Sequence, residues 1–222
     1  MCAPYNLRMS PQKLAEIFQT VRQLDFRGRF NVSPTQTVVA IRQEDGQRVP
    51  VNLRWGLVPM WSKDPKPGPP LINARGETVA EKPAFRTAFK KRRCLIPATG
   101  FYEWRTEGKA KLPFNIHLPN DEPLAFAGLW ECWRGGSEPL ESCTIVTTEA
   151  AGEMVKIHDR QPVMLPRDVW DLWLDPELQE PEPLQAMIRP WPGKLEFDSV
   201  DPSINNSRNE GAEFFKPGTN TL

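Results

Sequence analysis

The stretch RCLIPATGFYEWRTEGKAKLPFNIHLPNDEPLAFAGLWEC, residues 93–132, decides the fold. Its apolar and aromatic residues fall into short runs at 93–98, 101–105, 113–118 and 124–132, divided by Gly, Pro and Asn-Asp turn residues. Such spacing predicts strands joined by tight turns, and 142–148 adds another. Upstream, 37–42 and 49–55 are β-rich runs on either side of Glu44-Asp45-Gly46-Gln47, which reads as a hairpin. Ser10-Pro11 followed by Leu14, Ile17, Phe18 and Val21 gives an N-cap, a proline at the first helical position and an i, i+3, i+4, i+7 stripe, hence a first helix. Thr78 caps a second helix reaching about Lys90, with Pro83 limiting its first turns. Residues 62–70 hold four prolines and one glycine and form a loop. Further on, 167–174 is an amphipathic helix, 183–188 a short one, 162–165 a strand, and 195–200 a last strand before a polar tail. The expected fold is α+β, a single domain with a largely antiparallel, barrel- or sandwich-like β-sheet core and flanking helices. Residues 2–200 form its core and 201–222 its C-terminal tail.

Charge gives no whole-molecule bias, since 28 Lys and Arg balance 28 Asp and Glu in 222 residues. Strong non-specific attraction to nucleic acid or to an anionic membrane is therefore not expected from net charge. The distribution is polarised. Lys82, Arg86, Lys90, Lys91, Arg92 and Arg93 follow one another without an acid, whereas 175–222 holds nine acids against four bases. The 90–93 cluster suits either a helix C-terminus or phosphate contact. Cys2, Cys94, Cys132 and Cys143 show no C-x-x-C spacing, and His117 and His158 are the two histidines, so no metal and no cofactor is expected. Reduced, buried thiols suit the strand cysteines. With no apolar run of signal-peptide or membrane-spanning length, a soluble, cytoplasmic and monomeric protein is the expectation.

Several residues are candidates for chemistry. If Met1 is removed, Cys2 carries an α-amine and a thiol on adjacent carbons, a pair that closes on an aldehyde to give an imine and then a thiazolidine. An α-amine titrates at about 7.7–8.0 against about 10.4 for lysine, so it needs no special activation at neutral pH. The other reading is an incidental cysteine. Glu103 lies in Gly100-Phe101-Tyr102-Glu103-Trp104. Turned inward among aromatic residues it becomes a proton-transfer group, and turned outward it is an ordinary surface acid. His158, between Ile157 and Asp159-Arg160, is a candidate acid–base group or a surface turn. Asn73 can hydrogen-bond a ligand and Arg75 can pair with phosphate, or both belong to a capping loop. Trp55 and Trp61 bracket a Gly-Pro turn and either fill a core or stack an unpaired base.

Taken in order, these pieces resemble the SOS response-associated peptidase family, whose domain is shared by bacterial members and a eukaryotic relative that shields abasic sites in single-stranded DNA. The matching motifs are Met1-Cys2, Asn31-Val32-Ser33-Pro34-Thr35, Trp55-Gly56-Leu57-Val58-Pro59, Asn73-Ala74-Arg75, Glu77-Thr78 and Arg93-Cys94-Leu95-Ile96-Pro97. They continue through Gly100 to Trp104, Ala127-Gly128-Leu129-Trp130, Thr147-Thr148 and His158-Asp159-Arg160. The resemblance implies one site made of Cys2 as nucleophile with Asn73, Glu103 and His158. It further implies that Arg75 and Arg160 contact DNA phosphates, with Trp55, Trp61, Asn31 and Arg86 in the DNA-binding set. Family members commonly begin Cys-Gly-Arg, whereas this chain has Cys2-Ala3-Pro4-Tyr5, which removes one arginine; Arg8 is the nearest substitute.

The activity so implied is covalent capture of abasic sites in single-stranded DNA, with Cys2 exposed by processing. Two other classes fit parts of the pattern. One is an N-terminal-nucleophile amidohydrolase or peptidase in which the Cys2 thiolate attacks an amide. The other is a non-catalytic single-strand binder using Trp55, Trp61 and the 82–93 cations.

Overall fold

The apolar runs pair into ladders because each puts alternate side chains on opposite faces of a pleated backbone, and short turns bring neighbours together. A computed structural model of the protein describes residues 4–65 and 68–215. Its strands are β1 (Tyr5–Leu7), β2 (Arg29–Val32), β3 (Thr37–Glu44), β4 (Gln47–Trp55), β5 (Asn73–Arg75), β6 (Arg93–Ala98), β7 (Gly100–Glu107), β8 (Ala110–His117), β9 (Leu124–Trp133), β10 (Leu140–Glu149), β11 (Arg160–Pro162) and β12 (Glu196–Ser199). The α-helices are α1 (Pro11–Phe18), α2 (Arg86–Lys91), α3 (Trp170–Leu174) and α4 (Pro181–Ala186). The architecture is α+β, built on two sheets.

One sheet runs β11-β10-β4-β3-β6-β9, and β9 also pairs with β10, so β9, β6, β3, β4 and β10 close into a ring. Closure removes free edges there. Strand β10 changes neighbours along its length. Ser142 and Cys143 pair in parallel with β4, whereas Ile145 to Thr147 pair in parallel with β5, and Thr147 to Glu149 pair with β11. The swap is made at Gly56, whose φ of 134° lies outside what side chains tolerate and whose N–H bonds the Cys143 carbonyl at 2.8 Å. The β3–β4 hairpin turns through Asp45 and Gly46, both at positive φ, as a two-residue turn requires.

The second sheet, β12-β8-β7-β1-β2, is antiparallel throughout and packs its inner face on the barrel. Tyr5 lies 5.5 Å from Trp55 and 5.8 Å from Phe126, ring centre to ring centre, and Phe101 lies 6.0 Å from Phe126. The outer face is not left to water. Val200, Ile204 and Phe214 cover Tyr102, which is itself fully buried.

That cover is where the structure differs most from the sequence reading. Beyond residue 200 the chain reads as a polar tail, yet it is docked as far as Phe215 because Ile204 and Phe214 are buried and Asn31 Nδ2 lies 3.2–3.3 Å from the carbonyls of Ile204, Asn206 and Asn209. Helix α1 starts as expected, with Ser10 Oγ accepting from the Lys13 N–H at 3.2 Å. It stops at Phe18, with Gln19 left-handed, so Val21 stays 52 % exposed outside the stripe. The expected second helix is a series of turns until Arg86, since Pro83 has no N–H to continue a ladder. Strands β1, β2 and β5 are too short to show a period in sequence.

Candidate active site

Strand alternation leaves two choices for Glu103, and packing selects the inward one. It shares the core-facing side of β7 with Phe101 and is 2 % exposed, while Tyr102 and Trp104 face the docked C-terminal segment. Burial pushes its carboxyl up to about 8; the Trp104 amide opposes the shift and the charge of Asp159 adds to it. At neutral pH this is mostly an un-ionised acid, able to donate a proton inside the protein. Sequence neighbours made it a candidate, and tertiary burial makes it an acid.

His158 follows a short turn of 3₁₀ helix, Gly152–Lys156, and its backbone N–H closes on the Met154 carbonyl at 3.0 Å. Its Nδ1 lies 2.9 Å from the Arg160 N–H and 2.8 Å from Asp159 Oδ1. The ring is half-buried, and burial, ahead of other influences, lowers its proton affinity despite Asp159. A neutral ring that accepts from Arg160 at Nδ1 carries its proton on Nε2.

The neighbour swap of β10 brings three further candidates together along one end of that strand. Asn73 lies beside Ile145 and Arg75 beside Thr147, while Arg160 pairs with Glu149. Arg75 is exposed and forms no ion pair among the described residues. Arg160 is engaged, with Nη1 2.6 Å and Nη2 3.0 Å from the two oxygens of Glu77 and Nη2 2.9 Å from the Thr147 carbonyl. The Arg160 fork, ahead of other influences, holds the Glu77 carboxyl below its usual range. Cys2 lies outside the described residues.

Three of the DNA-facing expectations change. Trp55 is fully buried, with Nε1 donating to the Ile72 carbonyl at 2.9 Å, so it is a core residue and offers no face to a base. Asn31 is likewise buried and occupied with the C-terminal segment, because three backbone carbonyls there need a donor. Arg8 does not stand in for the missing arginine, being paired with Asp121 at 2.8 Å and lying over the Phe215 ring. By contrast Trp61 is 68 % exposed beside Met60 at 53 %, and its Nε1 reaches the Pro83 carbonyl at 3.4 Å. Arg86 is exposed. In the basic run, Arg93 is buried under the carbonyls of Phe89, Lys90, Trp173, Asp175 and Leu178, and Arg92 pairs with Glu131 at 2.6 Å. These two are structural, while Lys82, Arg86, Lys90 and Lys91 face solvent.

Residues 1–207 match the profile of the family described as SOS response-associated peptidase. The chain belongs to that family. Among its relatives, the abasic site processing protein YoaM of Bacillus subtilis is 39 % identical over 219 residues, covering 96 % of each chain. The abasic site processing protein YedK of Escherichia coli is 30 % identical over 192 residues, 86 % of this chain and 85 % of that one. HMCES of Gallus gallus, also named an abasic site processing protein, is 31 % identical over 199 residues, 78 % of this chain and 59 % of its own length. A crystal structure of a Bacteroides thetaiotaomicron protein superposes with a TM-score of 0.86 over 98 % of this chain and 100 % of that one; at 23 % identity it shows the fold alone. A phage-related protein of Bordetella bronchiseptica gives a TM-score of 0.69 at 30 % identity, over 90 % and 94 % of the two chains.

For this member of the SOS response-associated peptidase family, sequence reasoning passed over Asp159, Glu77 and Thr147 as participants. Asp159 had a visible signal, a carboxylate next to the candidate histidine. Glu77 and Thr147 stood in motifs of the resemblance, but nothing local to either showed that it meets Arg160, 83 and 13 residues away.

Proposed function

We propose that this protein processes abasic sites in single-stranded DNA by capturing their aldehyde covalently on Cys2 after Met1 is removed. The observation that carries the reading is Glu103, an acid kept un-ionised by burial at the strand that borders the start of the chain. The Tyr102 N–H donates to the Pro4 carbonyl at 2.9 Å, and Cys2 is two residues before Pro4, a tether of at most about 7 Å. The reading is supported also by the names of the relatives, which act on the same class of lesion.

In the proposed reaction the Cys2 amine adds to the aldehyde carbon of the ring-opened deoxyribose. The carbinolamine loses water to give an imine, and the thiol sulfur then bonds to the imine carbon while the nitrogen takes up a proton. Aldehyde and aminothiol thus give thiazolidine and water. Glu103 protonates the departing hydroxyl, and in reverse it protonates the ring as the carbon–sulfur bond breaks. Asn73 holds the sugar or the amine, and His158, as an Nε2–H donor, assists sugar ring opening. Arg75 and Arg160 position phosphates, Arg75 carrying the larger share because Arg160 is already engaged with Glu77. Trp61 stacks a neighbouring base. The exposed aldehyde exists in abasic sites and not in intact nucleotides, which supplies specificity without base reading.

The test is to incubate purified protein with abasic single-stranded DNA and look for a denaturation-resistant band, with intact mass spectrometry of the free protein. Loss of one methionine and a band that requires Cys2 are the expected results. An active, homogeneous sample retaining Met1, or turnover of an amide with no DNA adduct, would overturn the reading.

A further inference from the structure

The exposed carboxylate of Asp159 has no part in the scheme above, yet it is paired with His158 and its charge favours protonation of Glu103. Its Oδ1 is 2.8 Å from His158 Nδ1, and its charge acts on Glu103 as well. The same Nδ1 lies 2.9 Å from the Arg160 N–H. One nitrogen cannot accept from Arg160 and donate to Asp159 at once. It accepts from Arg160 when the ring is neutral, with the proton on Nε2, and it donates to Asp159 when the ring is protonated. The imidazole therefore has a partner at Nδ1 in both charge states, exchanging the Arg160 N–H for the Asp159 carboxylate as it takes up a proton.

We propose that Asp159 is a positioning residue of this site, holding His158 through Nδ1 in its protonated state and supplying a negative charge shared by His158 and Glu103. The inference rests on reading those two as the acid–base pair, but its first test does not. The charged groups around them are Arg160, which is neutralised in part by Glu77, and Arg75 beside Glu77. Asp159 is the group that favours protonation of both. Because its side chain is 86 % exposed, its charge is screened by salt and its replacement leaves packing intact.

Two measurements on Asp159→Asn test this. In ¹⁵N NMR of the DNA-free protein, the neutral ring of His158 shows its proton on Nε2, and in the variant His158 becomes protonated only at lower pH than in the wild type. His117, the chain's other histidine, serves as the internal reference. In cross-link release, the variant is slower by about two- to threefold at pH 8, where Glu103 is on the edge of losing its proton, and unchanged at pH 6. Asp159→Glu restores both behaviours, and about 0.5 M salt shrinks both differences. A His158 titration unmoved by Asp159→Asn overturns the inference, and so does a release rate reduced equally at both pH values, which is the mark of a merely structural residue. If the His158 titration moves as stated and the wild type forms no cross-link, the abasic-site reading fails and the pairing of Asp159 with His158 stands.

Discussion

His117 and His158 each lie within hydrogen-bond distance of an aspartate, and their surroundings could hardly differ more. His117 is 6 % exposed, with Nε2 3.0 Å from Asp198 and Nδ1 2.9 Å from the Leu118 carbonyl. Asp121, 3.4 Å away, continues to Arg8, and Arg8 to Asn6 and Thr99, so a polar chain links β12 and β8 to β1. Both ring nitrogens hold parts of the fold together. His158 sits in a turn, half-buried, and its contacts with Asp159 and Arg160 are local in sequence. Two rings with similar carboxylate distances thus differ in what they hold: one joins strands, and the other contacts its own turn, in keeping with the proton exchange proposed above.

The largest effect expected at the proposed site is that of Cys2→Ala. It should reduce stable cross-link by at least about 100-fold while changing affinity for intact single-stranded DNA by no more than about threefold, because phosphate contacts and stacking do not involve the thiol. A heat-stable adduct from that variant, without reductant, would remove the chemical meaning of the contrast. Next is Glu103→Gln, which keeps shape but cannot exchange a proton; release of the adduct into excess abasic DNA should slow by about 10- to 100-fold.

Glu103 also makes a claim about stability. Its folded proton affinity is raised from 4.5 to about 8, so the folded state binds more protons than the unfolded chain between those values. The stability this contributes is complete below the unfolded value and is lost as pH rises through about 8, with a slope of at most about 1.4 kcal/mol per pH unit. Denaturant melts from pH 5 to 8 should show that slope in the wild type and a flatter one in Glu103→Gln. Parallel profiles would mean the carboxyl is ionised throughout.

The histidines then break or confirm the contrast directly. His117→Ala should cost about 1–3 kcal/mol in chemical denaturation, by removing a buried ring that bonds the Leu118 carbonyl and ties β8 to Asp198 of β12, and should change cross-link formation by less than about twofold. His158→Ala should slow formation by about 10-fold with a small change in stability. Exchanged outcomes would reverse the two roles. The smallest effect is on salt dependence. Arg75→Ala should flatten the plot of log affinity against log salt by about 0.7, and Arg160→Ala by less, since Glu77 already neutralises part of it. Equal slopes for both variants and the wild type would move the DNA path elsewhere.

The sequence by itself determined the strand runs from 93 to 148, the β3–β4 hairpin and the start of α1, because each is written in local alternation, a Gly-containing turn or a cap within a few residues. It also singled out Glu103, His158, Asn73 and Arg75 as chemical candidates. Which way each candidate faces was decided only by tertiary structure. Alternation says that Phe101 and Glu103 share a face of β7; it does not say that the opposite face is covered by Val200, Ile204 and Phe214, a hundred residues later, leaving Glu103 toward the barrel. The same holds for the tryptophans, of which Trp55 became core and Trp61 surface, and for Arg93, whose charge is spent on helix-end carbonyls. Burial is a property of what packs on a residue from afar, and no local period carries that information.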